Sequence, residues 1–206
     1  KRVISTNFLG VVIDEDLFWN SQFLAITNKT SKGVGIISKL RYLLPKEILL
    51  LLYNTLVLPH LSHGNIVWGI TYPSKLDKLL KLQKRVVRCC TLSDFHAHSK
   101  PLFLKLKVLD IYQLNKYLVG LMLFRYVYTS LPENLQVLLT FNNEIHNYNT
   151  RHREKFHIFK CTTNFVSFSF KHTAPLVWNA LPQEICQTRN FNGFKRKLKS
   201  YLLAST

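Results

Sequence analysis

The sequence predicts a mainly α-helical fold, a helical bundle with a short N-terminal extended (β) segment and a second small helical region towards the C-terminus. Three observations carry this. Apolar residues recur at helical spacing over 21–42 and 75–91. Residues 46–57 are apolar on all sides. Val and Ile crowd only one short stretch, Phe8 to Ile13, where they favour a strand.

Taken in order, Val3 to Ile13 reads as extended chain with a turn at Gly10, and Asp14-Glu15-Asp16 closes it and offers capping chemistry to the next helix. Over 21–42, Phe23, Ile26, Thr30 and Val34 share one stripe that Ile37, Leu40 and Leu44 continue, with Gly33 and Gly35 weakening the middle. Pro45 ends this helix and opens the next. The run Ile48 to Tyr53 then marks a central, buried helix limited by Pro59. Residues 60–72 read as an aromatic loop, 75–91 as a third helix opened by Pro73-Ser74, and 101–128 as one or two apolar helices breaking near Gly120 or ending at Pro132. Residues 140–163 are polar and irregular, Phe165 to Phe170 alternates as a short strand would, and a last helix spans about 191–203.

Composition narrows the function. The chain has 206 residues, 47% of them hydrophobic, with 14 Phe, 9 Tyr and 3 Trp, enough to bury a core. The most apolar helical stretch, Tyr117 to Tyr128, contains Arg125 and falls short of the roughly 20 residues a membrane span needs. Lys1-Arg2 leads into polar residues, not a signal peptide, and the only Met is Met122, so the chain is expected to begin inside a longer protein or to have been trimmed. Four Cys, two of them adjacent (Cys89-Cys90), make a poor disulfide framework and favour an intracellular setting, nuclear or cytoplasmic and not secreted.

Charge is the strongest signal: 28 Lys and Arg against 11 Asp and Glu give +17, which favours a polyanionic partner, nucleic acid before an anionic membrane surface. The bases form two blocks. Residues 17–93 hold 11 bases and two acids, and residues 145–206 hold 10 bases and two acids, around a nearly neutral centre.

The third helix sorts its residues most cleanly. At about 100° per residue, Leu76, Leu79, Leu80, Gln83, Val86, Val87 and Cys90 fall on one arc, and Lys78, Lys81, Arg85 and Arg88 fall on the opposite one. One face is expected to pack on protein and the other to meet phosphates along a nucleic-acid backbone. The last helix repeats the design more weakly, with Phe191, Phe194, Leu198, Tyr201 and Leu202 against Lys195, Arg196, Lys197 and Lys199. His60-x2-His63 and Cys89-Cys90…His96-x-His98 lack the paired spacing of a zinc site. Asp14-Glu15-Asp16 reads as caps or solvated charge, not as a two-metal centre. There is no G-x-S-x-G, P-loop or H-E-x-x-H.

Several stretches, in order, resemble a known family. Phe8-Leu9-Gly10-Val11-Val12-Ile13-Asp14 with Leu17-Phe18-Trp19 resembles the block at which the palm of LINE-type (non-LTR) retrotransposon reverse transcriptases hands over to the thumb. Lys32-Gly33, Leu43-Leu44-Pro45, Leu52-Tyr53, Leu58-Pro59-His60-Leu61, Ile66-Val67-Trp68-Gly69 and Leu82 to Arg88 are similar to the helical thumb of jockey-like elements. His146 to Arg151, Pro175 to Pro182 and Phe194 to Leu198 resemble the region beyond it. Where the family often carries Tyr, this chain has His63, and the Cys/His knuckle of some relatives is not recognisable.

The resemblance implies a parent RNA-directed DNA polymerase. It makes 1–16 the end of the palm, with Phe8, Leu9 and Gly10 as a primer-grip-like turn, 17–93 a thumb-like domain, and 94–206 a helical C-terminal region. It puts the catalytic Tyr-x-Asp-Asp and its Mg²⁺ upstream, so this chain alone is expected to hold template–primer RNA and DNA without chemistry or a cofactor of its own. Its other partner would be the rest of the polymerase, and no membrane is expected. The alternative is a basic helical protein-interaction module.

Overall fold

The Val- and Ile-rich N-terminal stretch folds as a hairpin. In the computed structural model, which describes residues 3–129, 132–145, 148 and 151–205, strands β1 (Ser5–Phe8) and β2 (Val11–Asp14) pair antiparallel, with Phe8 opposite Val11. Only Leu9 and Gly10 join them, both at positive φ (49° and 83°), the backbone that matches the strand twist of a two-residue turn. The acidic run closes the hairpin, and Asp14 Oδ2 accepts from the Ser21 amide at 3.2 Å, at the start of the first helix.

That helix, α1 (Asn20–Leu40), buries Phe23, Ile26, Thr30, Val34 and Ile37, the expected stripe. Gly33 is a packing device here: a Cβ would lie 2.9 Å from the Leu56 carbonyl oxygen. α2 (Lys46–Leu56) follows Pro45 but is not the buried central helix expected. It buries only Leu49 and Tyr53, one turn apart, and leaves Ile48 and Leu51 41% and 56% exposed. Its neighbours are α1, α5 and α3, so its outward side has no cover within the described residues.

The aromatic 60–72 stretch is also more regular than expected. α3 (Leu58–Ser62) and α4 (Asn65–Trp68) fold around fully buried Asn65, whose Nδ2 donates to the Leu61 carbonyl at 2.9 Å and whose Oδ1 accepts from Asn115 Nδ2 at 2.9 Å. Trp68 is fully buried, meets Phe23 edge-on at 5.4 Å and donates from Nε1 to the His63 carbonyl at 2.8 Å. α5 (Pro73–Thr91) packs against α1, α2 and α6 (Ser99–Leu106). Within this core the fully buried Gln83 donates to Tyr53 Oη at 3.0 Å.

α7 (Ile111–Tyr128) runs unbroken through Gly120, and the helix break falls earlier, at 107–110. The packing divides the chain within α7, into compact units of residues 1–115 and 116–205. In the second unit Gly120 lets Leu198 close in: a Cβ there would sit 2.7 Å from Leu198 Cδ2. Leu198 is fully buried, so an added methyl overpacks by about 1–3 kcal/mol. Ala in place of Gly inside a helix regains about 1 kcal/mol. Gly120→Ala should therefore destabilise by at most about 2 kcal/mol. Urea denaturation checks this, and a raised midpoint would show that the Leu198 tip moves aside at no cost.

The rest of the second unit comprises α8 (Glu133–Gln136), α9 (Asn142–Ile145), α10 (Asn164–Ser167), α11 (Phe170–Asn179), α12 (Gln183–Cys186) and α13 (Phe191–Ala204). The strand expected over 165–170 is instead helical. Thr163 and Ser169 accept from the amides of Val166 and His172 and cap α10 and α11, and the alternating Phe pattern gives way to that capping. An aromatic core joins Phe124, Phe194, Trp178 and Phe156, with ring centroids 4.7–6.2 Å apart along the chain of contacts. Asn179 clamps Phe156 at both backbone groups, accepting at 3.1 Å and donating at 2.8 Å. Of the stretch His146 to Arg151, residues 146, 147, 149 and 150 lie outside the described residues, as do Lys1 and Arg2.

Candidate nucleic-acid interface

α5 places its two residue classes on opposite sides. Leu76, Leu79, Gln83, Val86, Val87 and Cys90 are buried, while Lys78, Lys81 and Arg85 are exposed. Among the described residues these three cations make no hydrogen bond or ion pair within the chain. Arg88, expected on the same ridge, is half-buried and donates from Nε to the Ala97 carbonyl at 2.9 Å, which ties α5 to the following loop. Asp77, the one acid of α5, accepts the Tyr112 hydroxyl at 2.8 Å, so its carboxylate is engaged with α7. Lys75 donates to the Phe18 carbonyl and lies over the Phe18 ring, fixing the approach to α1 against the start of α5.

At a rise of about 1.5 Å per residue, Lys78 to Arg85 spans roughly 10 Å. A duplex strand rises about 3.4 Å per nucleotide, so the ridge can follow about three phosphates. The buried face holds the helix at that angle. Burial pushes the Cys90 thiol up to about 12, with Cys89 adding to it. The reactive thiolate is scarce near neutral pH, since it appears only as pH nears the pKa. Brief maleimide labelling of the native chain should therefore modify half-buried Cys161 well before Cys90. Equal labelling would mean that this face of α5 is open.

α13 does not build a second ridge of the same kind. At about 100° per residue its cations spread around the helix. Lys195 and Lys199 flank the apolar stripe and are half-buried, Lys195 over the Phe191 ring, whereas Arg196 and Lys197 face outward, Lys197 donating to Thr188 Oγ1 at 3.1 Å.

Phe8, Leu9 and Gly10 form the hairpin tip. Phe8 and Leu9 are 62% and 80% exposed. His63 holds the tip from below, with Nε2 2.9 Å from the Leu9 carbonyl oxygen, and a Cβ on Gly10 would meet that ring nitrogen at 3.2 Å. Gly64, at φ 63°, lets Val11 approach: a Cβ would lie 2.7 Å from Val11 Cγ2. The sequence gives no hint of the His63 contact, which links positions 54 residues apart.

Among the described residues no group of three His, Cys, Asp or Glu side chains could hold a metal ion. Among the described residues no helix is long and apolar enough to cross a membrane. The fold and ridge define a class: a mainly helical protein with an N-terminal hairpin and a row of exposed cations on α5. Comparison with models of protein families, with curated proteins and with solved structures gave no match.

Proposed function

We propose that this chain holds template–primer nucleic acid as the thumb and post-thumb part of a non-LTR retrotransposon reverse transcriptase, and performs no chemistry itself. The observation that carries the proposal is the row Lys78, Lys81 and Arg85, exposed and without partners among the described residues, on a helix whose opposite face is buried. Cations in such a row meet phosphates whatever the base sequence, as a polymerase requires. The exposed apolar turn at Phe8 and Leu9, backed by His63, supports the primer-grip-like role that the resemblance assigns to it.

Titration of the purified chain with a mixed-sequence duplex at several salt concentrations tests this. With about three phosphates contacted by the α5 ridge, log affinity should fall against log salt with a slope of about −3, and steeper if other exposed cations join. A slope near zero would remove the nucleic-acid reading. The exposed apolar side of α2 favours the second reading, a protein-interaction module. That module would bind a duplex weakly, and its basic residues would scatter around the fold instead of lining one groove.

A further inference from the structure

The second unit contains a cleft of about 770 Å³, within the range of ligand sites and sized for one nucleotide, not a duplex. Arg151, Arg153 and Lys155 line it from one segment, and Tyr128, Phe141 and Trp178 line it from others. Among the described residues, none of those three cations makes a hydrogen bond or ion pair within the chain, and Glu154 is the only acid in the lining. The side-chain amides of Asn143, Gln183 and Gln187 also line the cleft and likewise make no hydrogen bond among the described residues.

The walls are held in place. The Asn142 and Asn143 amides donate to the Lys155 and Arg153 carbonyls at 3.0 and 3.1 Å, which fixes the basic segment. Tyr128 is 40% exposed, yet its hydroxyl donates to the Cys186 carbonyl at 2.5 Å, so its ring is anchored without being covered. Phe141 stacks on Phe156 at 4.4 Å, and Trp178 is buried behind. Unpaired cations suit phosphate, unpaired amides suit the donor and acceptor edge of a base, and an anchored, part-exposed ring suits base stacking. An acidic peptide would pair with the same cations but has no base to stack on the ring, so competition with such a peptide separates the two occupants.

We propose that this cleft binds one splayed-out nucleotide of single-stranded RNA or DNA. It lies in a different unit from the α5 ridge, so the two sites can be tested apart. The test uses the full chain, a labelled ten-nucleotide single strand and a blunt duplex, read by fluorescence anisotropy. R151E/R153E/K155E should weaken single-strand binding at least tenfold and duplex binding less than threefold, and K78E/K81E/R85E should do the reverse. Unchanged single-strand affinity in the cleft variant overturns the proposal. So does displacement of the strand by a poly-glutamate peptide of equal charge as readily as by unlabelled strand. Should the cleft variant fail to fold, photocrosslinking of the wild-type chain to a 4-thiouridine strand decides. Crosslinks at Tyr128 or Phe141 support the site, and crosslinks confined to α5 and α13 sink it.

Discussion

Reversing Lys78, Lys81 and Arg85 to glutamate should weaken duplex binding by about a hundredfold at moderate salt, and equally for unrelated sequences. Each reversal removes an attraction and adds a repulsion to a polyanion, and the three changes act on adjacent phosphates. All three side chains are exposed and without partners among the described residues, so far-UV circular dichroism should be unchanged. The milder K78Q/K81Q/R85Q isolates counterion release: the salt slope should flatten by about three, near 0.9 for each phosphate no longer neutralised. Arg88→Gln is a different experiment, because the Arg88 guanidinium is bonded to Ala97. It should lower stability more than affinity. If the triple reversal leaves affinity intact, the α5 ridge is a solvated face and the proposed function loses its main support.

Trp68→Ala should cost about 3–5 kcal/mol, the range for removing a buried aromatic side chain. A domain is stable by only about 5–15 kcal/mol, so the first unit should be largely unfolded at moderate urea. Trp68 is wholly buried, packs edge-on against Phe23 of α1 and donates to the His63 carbonyl. It therefore ties the short helices α3 and α4 to α1, and through His63 to the hairpin tip. Trp68→Phe keeps most of the packing and loses the indole hydrogen bond, so it should cost nearer 1–3 kcal/mol. Urea denaturation followed by circular dichroism separates the two variants. Similar midpoints for Trp68→Ala and the parent chain would show that this junction is not a keystone of the unit.

Periodicity made much of the first unit legible. The stripe Phe23, Ile26, Thr30, Val34 and Ile37 and the two faces of α5 follow from spacing alone, because a helix sorts residues by angle before it meets anything else. Spacing failed where the answer depended on the neighbour. Ile48 and Leu51 are as apolar as Leu49, but they stay exposed while Leu49 and Tyr53 are buried, so one side of α2 lies at the surface. Phe165 to Phe170 alternates like a strand, yet hydroxyls at Thr163 and Ser169 cap helices and win over the pattern. Gly33 and Gly120 read as weak points and prove to be places where another element comes close.

The sequence by itself determined that the chain is mainly helical, that it opens with a short extended segment turning at Gly10, and that its +17 charge gathers in two blocks. Local spacing and composition suffice for these. Only the tertiary structure decided which cations stay unpartnered: Arg88 is taken by Ala97, Lys197 by Thr188, and Lys78, Lys81 and Arg85 are left free among the described residues. It alone set His63 beneath Leu9 and brought Arg151, Arg153 and Lys155 to a cleft with Tyr128. The physical reason is range. Helix angle is fixed within a few residues, whereas a side chain's partner is fixed by packing between residues tens of positions apart.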